Sequence, residues 1–122
     1  MILVDTSVWV SYFRSGDPLL ADLLEQGEVL VHPWIIGELL LGNLQPGGEV
    51  HLLLRNLQSV SPAADTEVLF LVANAGLAGT GIGYVDAQLL ASVRLVEGAG
   101  LWSRDQKLTR VAEQLGVAFT PS

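Results

Sequence analysis

The sequence predicts an α/β fold: a three-layer α/β/α domain with a mainly parallel central sheet. Two observations lead there. Short β-type apolar runs alternate with helical patterns along the whole chain, and parallel strands need such crossover connections between them. The chain has 122 residues, half of them hydrophobic, which suits one core and one domain over residues 1–122. No repeat or low-complexity segment interrupts the alternation.

Each element has a local cause. Ile2, Leu3 and Val4 form a first strand, and Asp5, Thr6 and Ser7 can each cap the helix marked by Val8, Trp9, Tyr12 and Phe13. Pro18 opens a second helix through Leu19, Leu20, Leu23 and Leu24 that closes at Gly27, and Val29, Leu30 and Val31 make a second strand. Pro33 starts a third helix ending at Gly42, and a fourth follows Gly47 and Gly48 through Leu57, so the two read as a helical hairpin. After Pro62 a helix is expected from about Asp65 to Ala75, then a glycine loop, then a long amphipathic helix from Tyr84 to about Glu97 with the stripe Val85, Leu89, Val93 and Val96. Gly98 and Gly100 break it, residues 101–103 form a strand, Asp105 begins a last helix, and Val117, Ala118 and Phe119 close as a strand.

Composition excludes several function classes. There is no cysteine, so disulfides, thiolate metal sites and cysteine nucleophiles are absent. Asp5 follows only three apolar residues after the initiating Met1, without a basic segment, so no secretory signal is expected and the cytoplasm is the default. Residues 68–85 carry no charge but contain Asn74, Thr80 and four glycines, which read as a helix running into a loop rather than a membrane span. The net charge of −7 is awkward for a nucleic-acid binder, since phosphate neutralisation drives that affinity. It is reconciled if acidic residues gather around a divalent cation and the few basic residues cluster.

Four carboxylates are the candidate chemistry. Asp5 stands at the end of the first strand, where open α/β sheets place their binding crevice, although a lone Asp there also suits an N-cap. Glu38 is the only charged residue between His32 and Gln45 in an apolar segment, so it is expected on a buried helix, where a carboxylate requires a partner. Asp86 opens the long helix and Asp105 follows a strand, and each alone reads equally well as a cap. Together they suggest one acidic cluster at one edge of the sheet. An all-oxygen set of this kind favours Mg²⁺ or Mn²⁺ over zinc, and such an ion activates water for phosphodiester hydrolysis.

The segments Met1 to Ser7, Gly37-Glu38-Leu39, Gly83 to Ala91 and Leu101 to Asp105 resemble, in order and spacing, the successive signatures of PIN domains, and the short length resembles VapC toxins of toxin–antitoxin pairs. The resemblance implies a Mg²⁺-dependent endoribonuclease that inhibits translation by cleaving a tRNA or ribosomal RNA. It makes Asp5, Glu38, Asp86 and Asp105 the catalytic and metal-binding quartet, with Thr6 or Ser7 and Ser103 as positioning hydroxyls. It also implies a homodimer, a cognate VapB-like antitoxin whose C-terminal segment blocks the site, and operator binding only through that complex.

Arg104, Lys107 and Arg110 recur every three residues beside Asp105 and are candidates for contacting RNA phosphates or an acidic antitoxin segment; a solvated helix face is the plain alternative. The run Gly79 to Gly83 lacks the Lys-Ser/Thr ending of a phosphate-binding loop and reads as a mobile loop. His32 and His51 are expected at the surface and the three tryptophans in the core. Two other readings compete. A phosphoacceptor receiver domain would need a carboxylate pair after the first strand and a lysine at the last strand end, whereas Asp5 stands alone and Lys107 lies in a helix. A PIN fold serving RNA maturation or protein binding without a toxin role would keep the same acidic centre.

Overall fold

The computed structural model describes residues 1–121. Its elements are β1 (Ile2–Val4), α1 (Thr6–Ser15), α2 (Pro18–Glu25), β2 (Val29–Val31), α3 (Pro33–Leu41), α4 (Glu49–Asn56), β3 (Gln58–Ser59), α5 (Asp65–Asn74), α6 (Tyr84–Arg94), β4 (Gly100–Trp102) and α7 (Gln106–Gln114). Helix starts follow the predicted chemistry. Pro18 follows Asp17, whose Oδ1 accepts the Leu19 and Leu20 N–H groups at 3.0 and 3.2 Å.

All four strands are parallel, in the order β3-β2-β1-β4. From β1 the chain steps outward to β2 and β3 through α1–α4, then returns across the sheet to β4 through α5 and α6. Right-handed crossovers put those two sets of helices on opposite faces, which makes the three layers. The winding direction reverses between β1 and β4, and the crevice at their carboxyl ends is where such sheets bind ligands. Leu3, Val4, Leu30, Leu101 and Trp102 form the buried sheet core, packed by Val8, Trp9, Ile35, Leu89, Leu90 and Leu108.

Several expectations are corrected. The closing strand reduces to one parallel bridge, Leu101 to Ala118, held by the Leu101 N–H on the Val117 carbonyl at 2.7 Å and the Phe119 N–H on the Leu101 carbonyl at 2.9 Å. β3 had no apolar signal because both of its residues are exposed at the sheet edge. α3 packs chiefly on α1 rather than pairing with α4 as a hairpin. α6 ends at Arg94, and seven consecutive residues from Ala87 to Val93 are buried, so it is a central helix and not an amphipathic one. His32 is fully buried, not superficial, and Trp34 is only partly buried, unlike Trp9 and Trp102. No helix among the described residues is long and apolar enough to cross a membrane.

Candidate active site

Asp5 leaves β1 at the crevice, with its N–H on the Trp102 carbonyl of β4 at 2.9 Å. It occupies the N-cap position of α1, yet its side chain caps nothing. Instead Oδ2 accepts the hydroxyls of Ser7 and Ser103, both at 2.8 Å. Those hydroxyl oxygens in turn accept the Arg104 N–H and the Asp105 N–H, each at 3.0 Å. A serine has one hydroxyl proton, and here both are committed to Asp5. The carboxylate is 7% exposed and is locked to the turn that carries Asp105.

The other three carboxylates reach the same edge from different elements. Glu38 is exposed, which corrects the expectation of a buried helix: α3 buries only Ile35 and Leu39, and Leu41 is 91% exposed. Its partner is Thr6, whose hydroxyl donates to Oε1 at 2.7 Å. Asp86, in the first turn of α6, accepts the Gly83 N–H on Oδ2 at 3.2 Å. Asp105 caps α7, with Oδ1 accepting the Lys107 and Leu108 N–H groups at 2.8 and 3.2 Å. A single pattern runs through all four. One oxygen of each carboxylate is held by a protein donor, and the second, Oδ1 of Asp5, Oε2 of Glu38, Oδ1 of Asp86 and Oδ2 of Asp105, has no donor among the described residues. Orientation through one oxygen with the other left open is how ligating carboxylates are commonly supported.

Asp86 senses the other three. Burial raises the Asp86 carboxyl above its ordinary value of 3.8, the Gly83 N–H opposes that rise, and the charges of Asp5, Asp105 and Glu38 add to it. Among the described residues no three acidic or imidazole groups are drawn together tightly enough to enclose an ion already. Hard oxygen donors of this kind fit Mg²⁺ or Mn²⁺.

The three basic residues beside Asp105 stand in different surroundings. Arg104 precedes α7, and its guanidinium pairs with Asp17 at 2.9 Å. Lys107 lies across the glycine loop, since a Cβ on Gly81, where φ is +87°, would come within 2.9 Å of its Cδ. Arg110 is exposed further along α7. A groove of about 690 Å³ opens beside Glu38 and Thr6, with Val10, Phe13, Leu44 and Val50 among its walls. Sequence reasoning missed Asp17 as the partner of Arg104, and it missed the buried polar trio His32, Gln88 and Ser92. The only signal for the latter was Gln88 and Ser92 standing one helical turn apart in an apolar run.

Comparison with known proteins shows the family. The PIN domain family model matches residues 2–114. The chain belongs to the PIN-domain family. Its curated relatives include Ribonuclease VapC32 of Mycobacterium tuberculosis, strains CDC 1551 / Oshkosh and ATCC 25618 / H37Rv, each 47% identical over 119 residues, which is 98% of this chain and 96% of the relative. Among solved structures, FitAB bound to an IR36 DNA fragment matches this PIN domain at 18% identity and a TM-score of 0.63, covering 97% of this chain and 92% of that one. FitAcB from Neisseria gonorrhoeae matches at 19% identity and a TM-score of 0.63, covering 97% and 95%. At such identities those two likenesses speak for the fold. Family membership also removes the receiver-domain alternative.

Proposed function

We propose that this PIN domain is a metal-dependent endoribonuclease, the toxin of a VapC-type toxin–antitoxin pair acting in the cytoplasm. The observation that supports it is the set of four carboxylates from β1, α3, α6 and the β4–α7 turn, each oriented through one oxygen and open at the other. Asp5, Glu38, Asp86 and Asp105 would hold Mg²⁺, or Mn²⁺ in its place, through those open oxygens. The ion supplies, when bound, charge for the scissile phosphate and a water acidified for attack on phosphorus.

The chain's own residues do the rest. Ser7 and Ser103 keep the Asp5 carboxylate in one orientation, and Thr6 does the same for Glu38, so no reorganisation is needed as charge develops. Of the three basic residues beside Asp105, Lys107 lies against the glycine loop and is the candidate to meet an RNA phosphate, since Arg104 is engaged by Asp17. No side-chain nucleophile is required. The substrate class is a tRNA or ribosomal RNA, and the partners are a second copy of the chain and a VapB-like antitoxin, with operator DNA reached only through that complex. The groove beside Glu38 is a suitable seat for an antitoxin segment.

Inducible expression of the wild type and Asp5→Asn, with cleavage of total RNA in Mg²⁺, Mn²⁺ and EDTA, tests this. Growth arrest and discrete fragments are expected only for the wild type with metal. RNA cleavage without growth arrest would leave a PIN nuclease of RNA maturation, and a folded, inactive wild type would leave a protein-binding module.

A further inference from the structure

The largest polar feature outside the acidic edge is buried between α3, α6 and the segment leading into α5. His32, Gln88 and Ser92 are 0, 1 and 0% exposed. His32 Nδ1 accepts the Trp34 N–H at 3.0 Å, so Nε2 carries the ring proton and donates it to Ser92 Oγ at 3.1 Å. The Ser92 hydroxyl donates to Gln88 Oε1, and the Ala63 N–H is shared between Gln88 Oε1 at 2.8 Å and Ser92 Oγ at 3.0 Å. Gln88 Nε2 returns a proton to the Ala63 carbonyl at 3.0 Å. The Ser92 oxygen thereby gives its one proton and fills both acceptor positions, so the circuit has a single direction and no slack.

The circuit ties two helices that each carry one of the acidic quartet. His32 caps α3, where Glu38 lies six positions later, and Ser92 lies six positions after Asp86 on α6. Six helical residues span about 9 Å, so both carboxylates stand within two turns of the same clamp. Among the described residues Glu38 is otherwise held by Thr6 alone, and Asp86 by its own helix start alone. We propose that His32, Ser92 and Gln88 are positioning residues: their buried circuit sets the spacing of Glu38 and Asp86 across the crevice, and with it the affinity for the divalent ion and the rate of hydrolysis. This rests on the proposed ribonuclease reading.

The test combines structure and activity. The chain has no cysteine, so Leu41→Cys on α3 and Leu95→Cys at the end of α6, both exposed, accept a pair of spin labels for a pulsed distance measurement, diluted with unlabelled chain. A narrow distance distribution is expected with the native circuit, a broadened or shifted one with Ser92→Ala, and recovery with Ser92→Thr, which restores the hydroxyl. In the unlabelled protein Ser92→Ala should lower the saturated cleavage rate about tenfold or more and weaken Mn²⁺ binding, with KM for RNA little changed and Ser92→Thr recovering most of the loss. Gln88→Met is read in the same way if Ser92→Ala does not fold. A folded Ser92→Ala with an unchanged distance, rate and Mn²⁺ affinity overturns the proposal. A wild type that neither binds Mn²⁺ nor cleaves RNA overturns the ribonuclease reading instead, while the distance measurement still decides whether the clamp sets the helix spacing.

Discussion

Asp86 carries the cost of the acidic cluster in its own proton affinity. Its raised carboxyl means that, as pH climbs from about 3.8, the folded chain keeps a proton that the unfolded chain has already released. Stability contributed by this group is therefore lost as pH rises through that window. In EDTA, Asp86→Asn is expected to raise the neutral-pH melting temperature, because it removes the repelled charge while Asn can still accept the Gly83 N–H. RNA cleavage by the same variant should vanish. Thermal melts of both proteins across the acid-to-neutral range check the sign: an unchanged or lower melting temperature for Asp86→Asn contradicts this account of the repulsion.

At the scale of elements, helix caps double as site residues. Asp105 caps α7 and is one of the four proposed metal ligands, and two substitutions separate those roles. Asp105→Ala should lose about 1 kcal/mol with the cap and lose cleavage as well. Asp105→Asn keeps a good cap and should keep stability while losing cleavage; denaturant titrations beside RNA assays distinguish them. His32 is the second such cap. Burial holds its imidazole below the ordinary 6.5, with the nearby Gln88 amide working against that shift, and protonating Nδ1 would set it against the Trp34 N–H. Stability from His32 is thus full above 6.5 and is lost as pH falls below it. Urea unfolding at about pH 7.5 and about pH 5.5 should show that loss, of at most ~1.4 kcal/mol per pH unit, and His32→Gln should flatten the slope over that interval.

For the whole molecule, the consequence is linkage between ion binding and folding. Four carboxylates arriving from four parts of the chain share one edge only in the folded state, so a cation held there as proposed would stabilise that state alone. At a hundred times its dissociation constant the gain is about 2.7 kcal/mol. Mn²⁺ or Mg²⁺ should therefore raise the melting temperature of the wild type by several degrees, EDTA should reverse it, and Asp5→Asn should remove the response. An equal rise for wild type and Asp5→Asn would mean that the ion binds elsewhere. The net charge of −7, awkward for an RNA-binding protein, belongs to the same balance, because a divalent ion held by the proposed quartet would cancel part of it where the phosphate must approach.

The parallel α/β architecture and most element boundaries could be read from the chain alone, because strand periodicity, proline starts, glycine stops and caps are decided within a few residues. Pro18 at the start of α2 and Asp105 before α7 are of that kind. The edge strand Gln58–Ser59 was invisible, since two exposed polar residues carry no apolar pattern. The burial of His32 and the exposure of Glu38 were misjudged because apolar neighbours in sequence do not say which side of a helix another element will cover. The partners of the carboxylates were beyond local reading altogether. Ser103 reaches Asp5 across 98 positions and Thr6 reaches Glu38 across 32, and only the parallel pairing of β1 with β4 and the packing of α1 on α3 bring those donors within hydrogen-bond range.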